Sequence, residues 1–279
     1  MPRAVRPRFR GTHIGSDRIA VYFPSCIARN MGPQAGDSPD TTVYRSMLSL
    51  LAKSGYDVRF PEGLDRLCCG MAFDAKGFRT QGDRKLHELE GALLESSEGG
   101  RLSIVFDTSP CAHRMRKRAD ARLRIHDPVL FIQQELLPRL RIERLRGPVA
   151  IHVPCSAAKD GLTDTFRVVA SACAEEVVFP SSGCCGFAGD RGFTHPELNA
   201  SALSSLRAAL PAGCDTGYSS SRTCEIGLSL HGGIPYRSLA LLVDRCAQAG
   251  ASTEMADGNA GPPRPQRRGQ AGSSEKRPR

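Results

Sequence analysis

Two stretches decide how this chain is read: LCCGMAFDAKGF at residues 67–78 and GCCGFAGDRGF at residues 183–193. They are one motif written twice, with a residue inserted in the first copy. Working outward, VYFPSC at 21–26 resembles IHVPC at 151–155, and FDTSPCAHRM at 106–115 falls where YSSSRTCEIGL falls at 218–228. Cys26 to Cys68 spans 42 positions against 29 for Cys155 to Cys184, and Cys69 to Cys111 spans 42 against 39 for Cys185 to Cys224. Self-similarity on this scale predicts two copies of one unit, packed together.

Each copy alternates short apolar runs with amphipathic segments. In the first, strands are expected at 19–23, 56–60 and 102–106, and helices at 41–53, 83–95 and 128–137, the last opened by Pro128. In the second, strands are expected at 149–153, 177–179 and 215–219. Helices are expected at 163–173, capped by Asp160 or Thr163, at 196–210 and at 238–249. Alternation of this kind predicts an α/β fold with mostly parallel strands. The expected units are a first cysteine-rich domain at 19–146 and a second at 147–250. Flanking them are a disordered basic N-terminus at 1–18 and a disordered Gly-, Pro- and Ser-rich tail at 251–279.

Composition narrows the function classes. The chain has 279 residues, 40% of them hydrophobic and 24% charged, with a net charge of +9. That charge is mostly terminal: +4 falls on residues 1–18, +3 on 251–279 and only +2 on the 232 residues between. With no Trp and five Tyr, the folded part offers neither a basic face nor a stacking platform, so no specific nucleic-acid role is expected. No apolar run is long enough for a membrane span. Four arginines in the first fifteen residues lack a following apolar stretch, so no secretory signal is expected. Eleven cysteines without such a signal read as metal ligands or redox groups in a cytoplasmic setting rather than as a disulfide framework.

The cysteines of both copies fall at the carboxyl ends of expected strands, the edge where open α/β sheets place ligands. Cys26, Cys68, Cys69 and Cys111 form one set, and Cys155, Cys184, Cys185 and Cys224 form the other. Convergent thiolates are soft ligands suited to iron–sulfur clusters or zinc. The paired Cys-x-x-Cys of a zinc ribbon is absent. Gly70 and Gly186 follow the vicinal cysteines, where a positive-φ turn lets backbone N–H groups approach a negatively charged cluster. Three readings stay open: an iron–sulfur electron-transfer unit, a zinc-bound structural or docking domain, and a thiol–disulfide protein cycling at Cys68–Cys69 or Cys184–Cys185. His113 and His152 are the candidates to complete a ligand shell. Cys173 and Cys246 read as small buried groups within helices, and Cys214 as an exposed thiol in a turn. His195 reads as a capping or solvent residue, and Arg222 and Arg237 as surface charges.

The pattern Cys, long gap, Cys-Cys-Gly, long gap, Cys, repeated twice, resembles the cysteine-rich CCG domain. That domain occurs in heterodisulfide reductases, in lactate-utilisation and anaerobic glycerol-3-phosphate dehydrogenase subunits, and at the C-terminus of some FAD-linked oxidases. More narrowly, SGCCGFAGDRGF, YSSSRTCEIGL and GIPYRSLALLVD are similar to the C-terminal region of bacterial FAD- and Fe–S-binding D-lactate dehydrogenases, over residues 19 to about 247. The resemblance implies that the eight aligned cysteines hold [4Fe–4S] clusters, with zinc as the alternative. It implies electron transfer from a partner FAD domain or subunit to a quinone or cytochrome acceptor, peripherally on the inner membrane face through partners. Two departures stand out. The family pattern ends in Cys-x-x-Cys, with five cysteines holding each noncubane cluster in the best-known members. Here Thr108, Arg114, Ser221 and Gly227 occupy the corresponding places. An FAD-binding domain and ferredoxin-like cysteine runs are also lacking, so flavin is expected only in a partner.

Overall fold

The computed structural model describes residues 11, 14–34, 36–181 and 183–250. The expected tail at 251–279 and most of the 1–18 segment lie outside the described residues.

The first half runs β1 (Ile19–Phe23), α1 (Cys26–Asn30), α2 (Val43–Lys53), β2 (Asp57–Arg59), α3 (Met71–Asp74), α4 (Arg79–Ser96), β3 (Ser103–Phe106), α5 (Ser109–Arg118), β4 (Ile125–His126) and α6 (Pro128–Phe131). Its sheet has the order β2-β1-β3-β4, and every pair is parallel. A connection carrying β5 (Leu140–Ile142) leads to the second half. That half runs β6 (Leu145–Ile151), α7 (Cys155–Lys159), α8 (Thr163–Cys173), β7 (Ala174–Val178), α9 (Arg191–Thr194), α10 (Pro196–Ala202), β8 (Gly217–Ser219), α11 (Arg222–Gly232), β9 (Tyr236–Ser238), α12 (Leu239–Cys246) and β10 (Ala247–Ala249). Its sheet, β7-β6-β8-β9, repeats the same order, again all parallel. The fold is therefore α/β with parallel sheets, as the alternation of elements predicts.

Parallel strands covered on both faces read as unbroken apolar runs, and β1 shows why. Ala20, Val21, Tyr22 and Phe23 are all fully buried. Side chains alternate across a strand. Val21 and Phe23 thus pack with Leu89, Leu93, Ile104, Phe106 and Met115 on one face. Ala20 and Tyr22 turn to the other face, into a core that also holds Val149, Ile151, Phe166, Val169, Leu242 and Val243. The largest apolar cluster is thus shared between the halves. Across it Lys53 of α2 and Asp244 of α12 form an ion pair at 2.7 Å, and Ser49 Oγ donates to the same carboxylate at 2.6 Å.

Several local expectations need correction. Neither Asp160 nor Thr163 caps α8; the N-cap is Leu162 without a side-chain bond, because Asp160 is engaged by His113. The helix expected from 196 stops at Ala202, and only a 3-10 turn at Arg207–Ala209 follows. The helix opened by Pro128 turns into a π segment at Ile132–Leu136. The last helix, capped by Ser238, ends at Cys246, and 247–249 instead pair antiparallel with β5. Among the described residues no helix is long and apolar enough to cross a membrane.

Candidate metal centre

All four cysteine-bearing segments of the first half meet at the carboxyl edge of its sheet. Ser25 caps α1, and Cys26 is the first residue of that helix. Cys111 lies in the first turn of α5, behind Pro110. Cys68 and Cys69 arrive from β2 through a loop that Arg29 fastens, its guanidinium donating to the carbonyls of Leu64 and Leu67. Cys26 Sγ lies 3.8 Å from Cys68 Sγ, and Cys69 Sγ lies 3.2 Å from Cys111 Sγ. The four thiols line a cavity of about 180 Å³, closed from the second half by Gly189, Asp190, Phe193 and Ser221–Thr223. Lys76 and Asp190 tie the two walls at 2.7 Å.

The surroundings of Cys68 favour its ionised form. The hydrogen bond with Cys26, then the neighbouring Cys69, pulls its pKa down against the penalty of burial, with the Gly70 N–H and the charge of Arg29 adding to the pull. Cys26 and Cys69 are pushed up in turn, by the hydrogen bonds they give to Cys68 and Cys111 respectively and by burial.

The second half repeats the plan in a more open form. Cys155 opens α7, and Cys224 lies in the first turn of α11. Cys185 Sγ and Cys224 Sγ are 3.1 Å apart and buried, whereas Cys155 and Cys184 are exposed. Burial, then the neighbouring Cys184, raises Cys155 to about 11. The hydrogen bond with Cys224 brings Cys185 to about 7 against burial.

Both vicinal pairs end in a glycine that the backbone requires. Gly70 has φ +81°, and a Cβ there would stand 2.1 Å from the Gly82 carbonyl oxygen of α4. Gly186 has φ +69°, and its Cβ would meet Ala202 at 2.7 Å and the Leu198 oxygen at 2.8 Å, both on α10. A helix thus presses on each turn, and each turn aims a backbone N–H at sulfur. Gly70 N donates to Cys68 Sγ and Gly186 N to Cys184 Sγ, both at 3.4 Å.

The thiols meet in pairs. Among the described residues no group of three or more His, Cys, Asp or Glu forms a ready metal cage. Donor chemistry and space nonetheless suit a thiophilic group in the first half, where four soft sulfurs face one cavity. Each of the two candidate histidines makes its side-chain hydrogen bond through Nδ1 to an oxygen rather than to a thiol. His113 Nδ1 bonds Asp160 Oδ1 at 2.7 Å, joining α5 to the end of α7. His152 is buried beside Ser219 Oγ at 3.1 Å, and desolvation lowers its pKa to about 4. Thr108, at one of the lost cysteine positions, bonds Ser25 Oγ at 2.8 Å.

Other sequence expectations divide. Cys173 and Cys246 are buried, with Cys246 Sγ 3.4 Å from the Cys173 oxygen. His195 is exposed beside Glu197. Cys214 is buried at 6% exposure rather than exposed, because the turn that carries it folds under β8 into the core of Tyr236 and Leu206. Arg222 and Arg237 are not surface charges: Arg222 is buried against Glu225 and the Gly32 carbonyl, and Arg237 pairs with Asp37. Two buried side chains behind the Cys-Cys-Gly turns carried weight that spacing did not reveal. Arg114 donates to the Cys69 carbonyl and Asn199 to the Cys185 carbonyl. Arg114 was visible only as a missing cysteine, and Asn199 carried no signal at all.

The cysteine-rich domain family, CCG, matches residues 20–115 and 149–229. None of the curated proteins matches the chain. Among solved structures, glutamate racemase from Aquifex pyrophilus is 11% identical, covering 82% of this chain and 81% of its own, with a TM-score of 0.34. Glutamate racemase isoform RacE1 from Bacillus anthracis is also 11% identical, covering 84% and 80%, with a TM-score of 0.34. An aspartate racemase homologue from Pyrococcus horikoshii OT3 is 12% identical, covering 82% and 96%, with a TM-score of 0.30. These are loose likenesses. Matched over both of its halves, the chain belongs to the CCG cysteine-rich domain family and carries that domain in tandem.

Proposed function

We propose that the chain is an iron–sulfur electron-transfer unit of a FAD-linked 2-hydroxy-acid dehydrogenase system of the D-lactate type. The observation that carries this reading is the doubled set of cysteines at matching sheet edges, with the first set facing one cavity. A [4Fe–4S] cluster supplies one-electron transfer when bound. Cys26, Cys68, Cys69 and Cys111 would hold one centre, and Cys155, Cys184, Cys185 and Cys224 the other. The chain's own part is to gather soft donors and to turn Gly70 and Gly186 N–H groups toward sulfur. The exposed Cys155 and Cys184 leave the second centre accessible to a partner. The proposed donor is a flavin in a partner domain or chain, and the acceptor a quinone or cytochrome.

Iron, acid-labile sulfide and zinc analysis of anaerobically purified protein, with its visible spectrum, tests the reading. About four irons and four sulfides per occupied half, with absorption bleached by dithionite, is the expected result. Cys68→Ser and Cys185→Ser should each lose absorbance from one half while keeping helical circular dichroism. Zinc alone would replace the proposal with a structural or docking role.

The 3.2 Å and 3.1 Å contacts of Cys69 with Cys111 and Cys185 with Cys224 support a second reading, a dithiol–disulfide couple. These pairs bridge separate elements, whereas a vicinal disulfide would be strained. Thiol counts on metal-free protein before and after an added disulfide oxidant separate the two readings.

A further inference from the structure

In each half, one peptide group links a buried side chain to a cysteine sulfur. The Cys69 carbonyl accepts from Arg114 Nε at 2.7 Å, and the N–H of the same peptide, on Gly70, donates to Cys68 Sγ. The Cys185 carbonyl accepts from Asn199 Nδ2, and the N–H of that peptide, on Gly186, donates to Cys184 Sγ. The order side chain, carbonyl, N–H, sulfur is thus the same twice.

The supplying elements differ, which argues against mere inheritance of one packing contact. Arg114 stands three residues after Cys111 on α5, and the equivalent position on α11, three after Cys224, is Gly227. A Cβ at Gly227 would stand 2.5 Å from Asn199 Nδ2 and 2.8 Å from Phe187. Removing the side chain there admits Asn199 from α10, and the carbonyl keeps its donor. Both donors are secluded, at 5% exposure for Arg114 and 1% for Asn199. Arg114 also pairs with Asp74 and Asp83, but these acids lie on the solvent side, at 25% and 38% exposure. The Nε edge of the guanidinium faces the turn, and its two terminal nitrogens face those carboxylates. Electrostatic interaction with both Cys68 and Cys69 reaches Arg114.

We propose that Arg114 and Asn199 are positioning residues that fix and polarise the peptides 69–70 and 185–186, and so set the N–H···S bond of each turn. In a trans peptide, C=O and N–H point in opposite directions, so a donor on the oxygen fixes where the N–H aims. It also polarises the group, since hydrogen bonds in a chain strengthen one another. Resting on the ligand reading above, the relay has a redox consequence, because N–H···S bonds and nearby positive charge raise a cluster's potential. The donor behind the first turn is a guanidinium held by Asp74 and Asp83 and that behind the second a neutral amide, so the relay acts on each centre through its N–H···S bond.

The deciding measurement is the amide proton shift of Gly70 and Gly186 in the metal-free full chain, by 1H–15N NMR. In Arg114→Met, the Gly70 signal should move upfield and the Gly186 signal stay; in Asn199→Leu, the reverse. Arg114→Gln, which keeps a donor without the charge, should return most of the Gly70 shift. Should Arg114→Met fail to fold, Arg114→Gln and Asn199→Leu still decide the matter. Gly amides that stay put in folded variants, or that move together in either one, would overturn the relay. In cluster-loaded protein, Arg114→Met should lower the reduction equilibrium of the first centre about tenfold, about 59 mV for a one-electron couple. Failure to load any cluster would overturn the electron-transfer reading and leave the amide shifts to decide the relay.

Discussion

At Gly70 the backbone leaves no room for another residue. Its φ of +81° disfavours any side chain, and the Gly82 carbonyl occupies the space a Cβ would need. Gly77 has a similar φ of +84° with open space around it. Strain alone costs about 1 kcal/mol at an open left-handed site, and overpacking against backbone adds about 2 kcal/mol more. Urea unfolding should therefore place Gly70→Ala about 3 kcal/mol below the parent and Gly77→Ala only about 1 kcal/mol below. Equal losses would show that helix α4 yields to the turn. His152 offers a pH signature at the same scale. Burial lowers its pKa from 6.5 to about 4 in the fold. The unfolded chain therefore binds the proton first as pH falls, and stability declines from about pH 6.5 down to about 4 before levelling. The full effect is on the order of 3 kcal/mol. A His152→Gln variant of metal-free protein should flatten the stability profile across that window and leave it unchanged above pH 7.

Among the elements, those that bring the cysteines together are the least regular. α1 and α7 have five residues each, and α3 and α9 have four. Segments this short show no period, so the helices beginning at Cys26 and Cys155 were illegible in the sequence although the cysteines themselves were conspicuous. α8 could be read because Phe166, Val169, Ala170 and Cys173 recur at helical spacing and are buried. β1 could be read because its apolar run is unbroken. β10 was hidden because its three residues continue the pattern of α12 and differ only in their partner, β5. Asn199 was hidden because its role depends on an absent side chain at Gly227 on another helix. α12 is a strong test of element energetics, since Ser238 caps it by accepting from Ala240 N and Leu242 lies wholly in the shared core. Ser238→Ala should cost about 1 kcal/mol and Leu242→Ala about 3 kcal/mol, measured by chemical denaturation. The larger value for the leucine is expected because the cavity opens between packed helices, whereas a lost cap is partly replaced by water.

At the scale of the whole molecule, duplication and cooperation pull in different directions. Two sheets with the same strand order suggest separable units. The packing joins them: Ala20, Tyr22 and Val105 of the first half share one core with Val149, Phe166 and Val243 of the second. Polar contacts run across the same boundary. Ser109 Oγ meets Ser220 Oγ at 2.5 Å, His113 meets Asp160, and Asp37 meets Arg237. A half produced alone would expose one face of its sheet and the buried charges of that face. A single unfolding transition is therefore expected for the full chain, because the largest apolar cluster is shared and neither half completes it alone. The check is thermal unfolding of metal-free protein by calorimetry, compared with Phe166→Ala and Leu89→Ala. Phe166 belongs to the shared core and Leu89 to a core confined to the first half. In a cooperative molecule either substitution moves the one transition as a unit. Two resolved transitions, with Leu89→Ala shifting only one of them, would show that the halves are thermodynamically independent despite the common core.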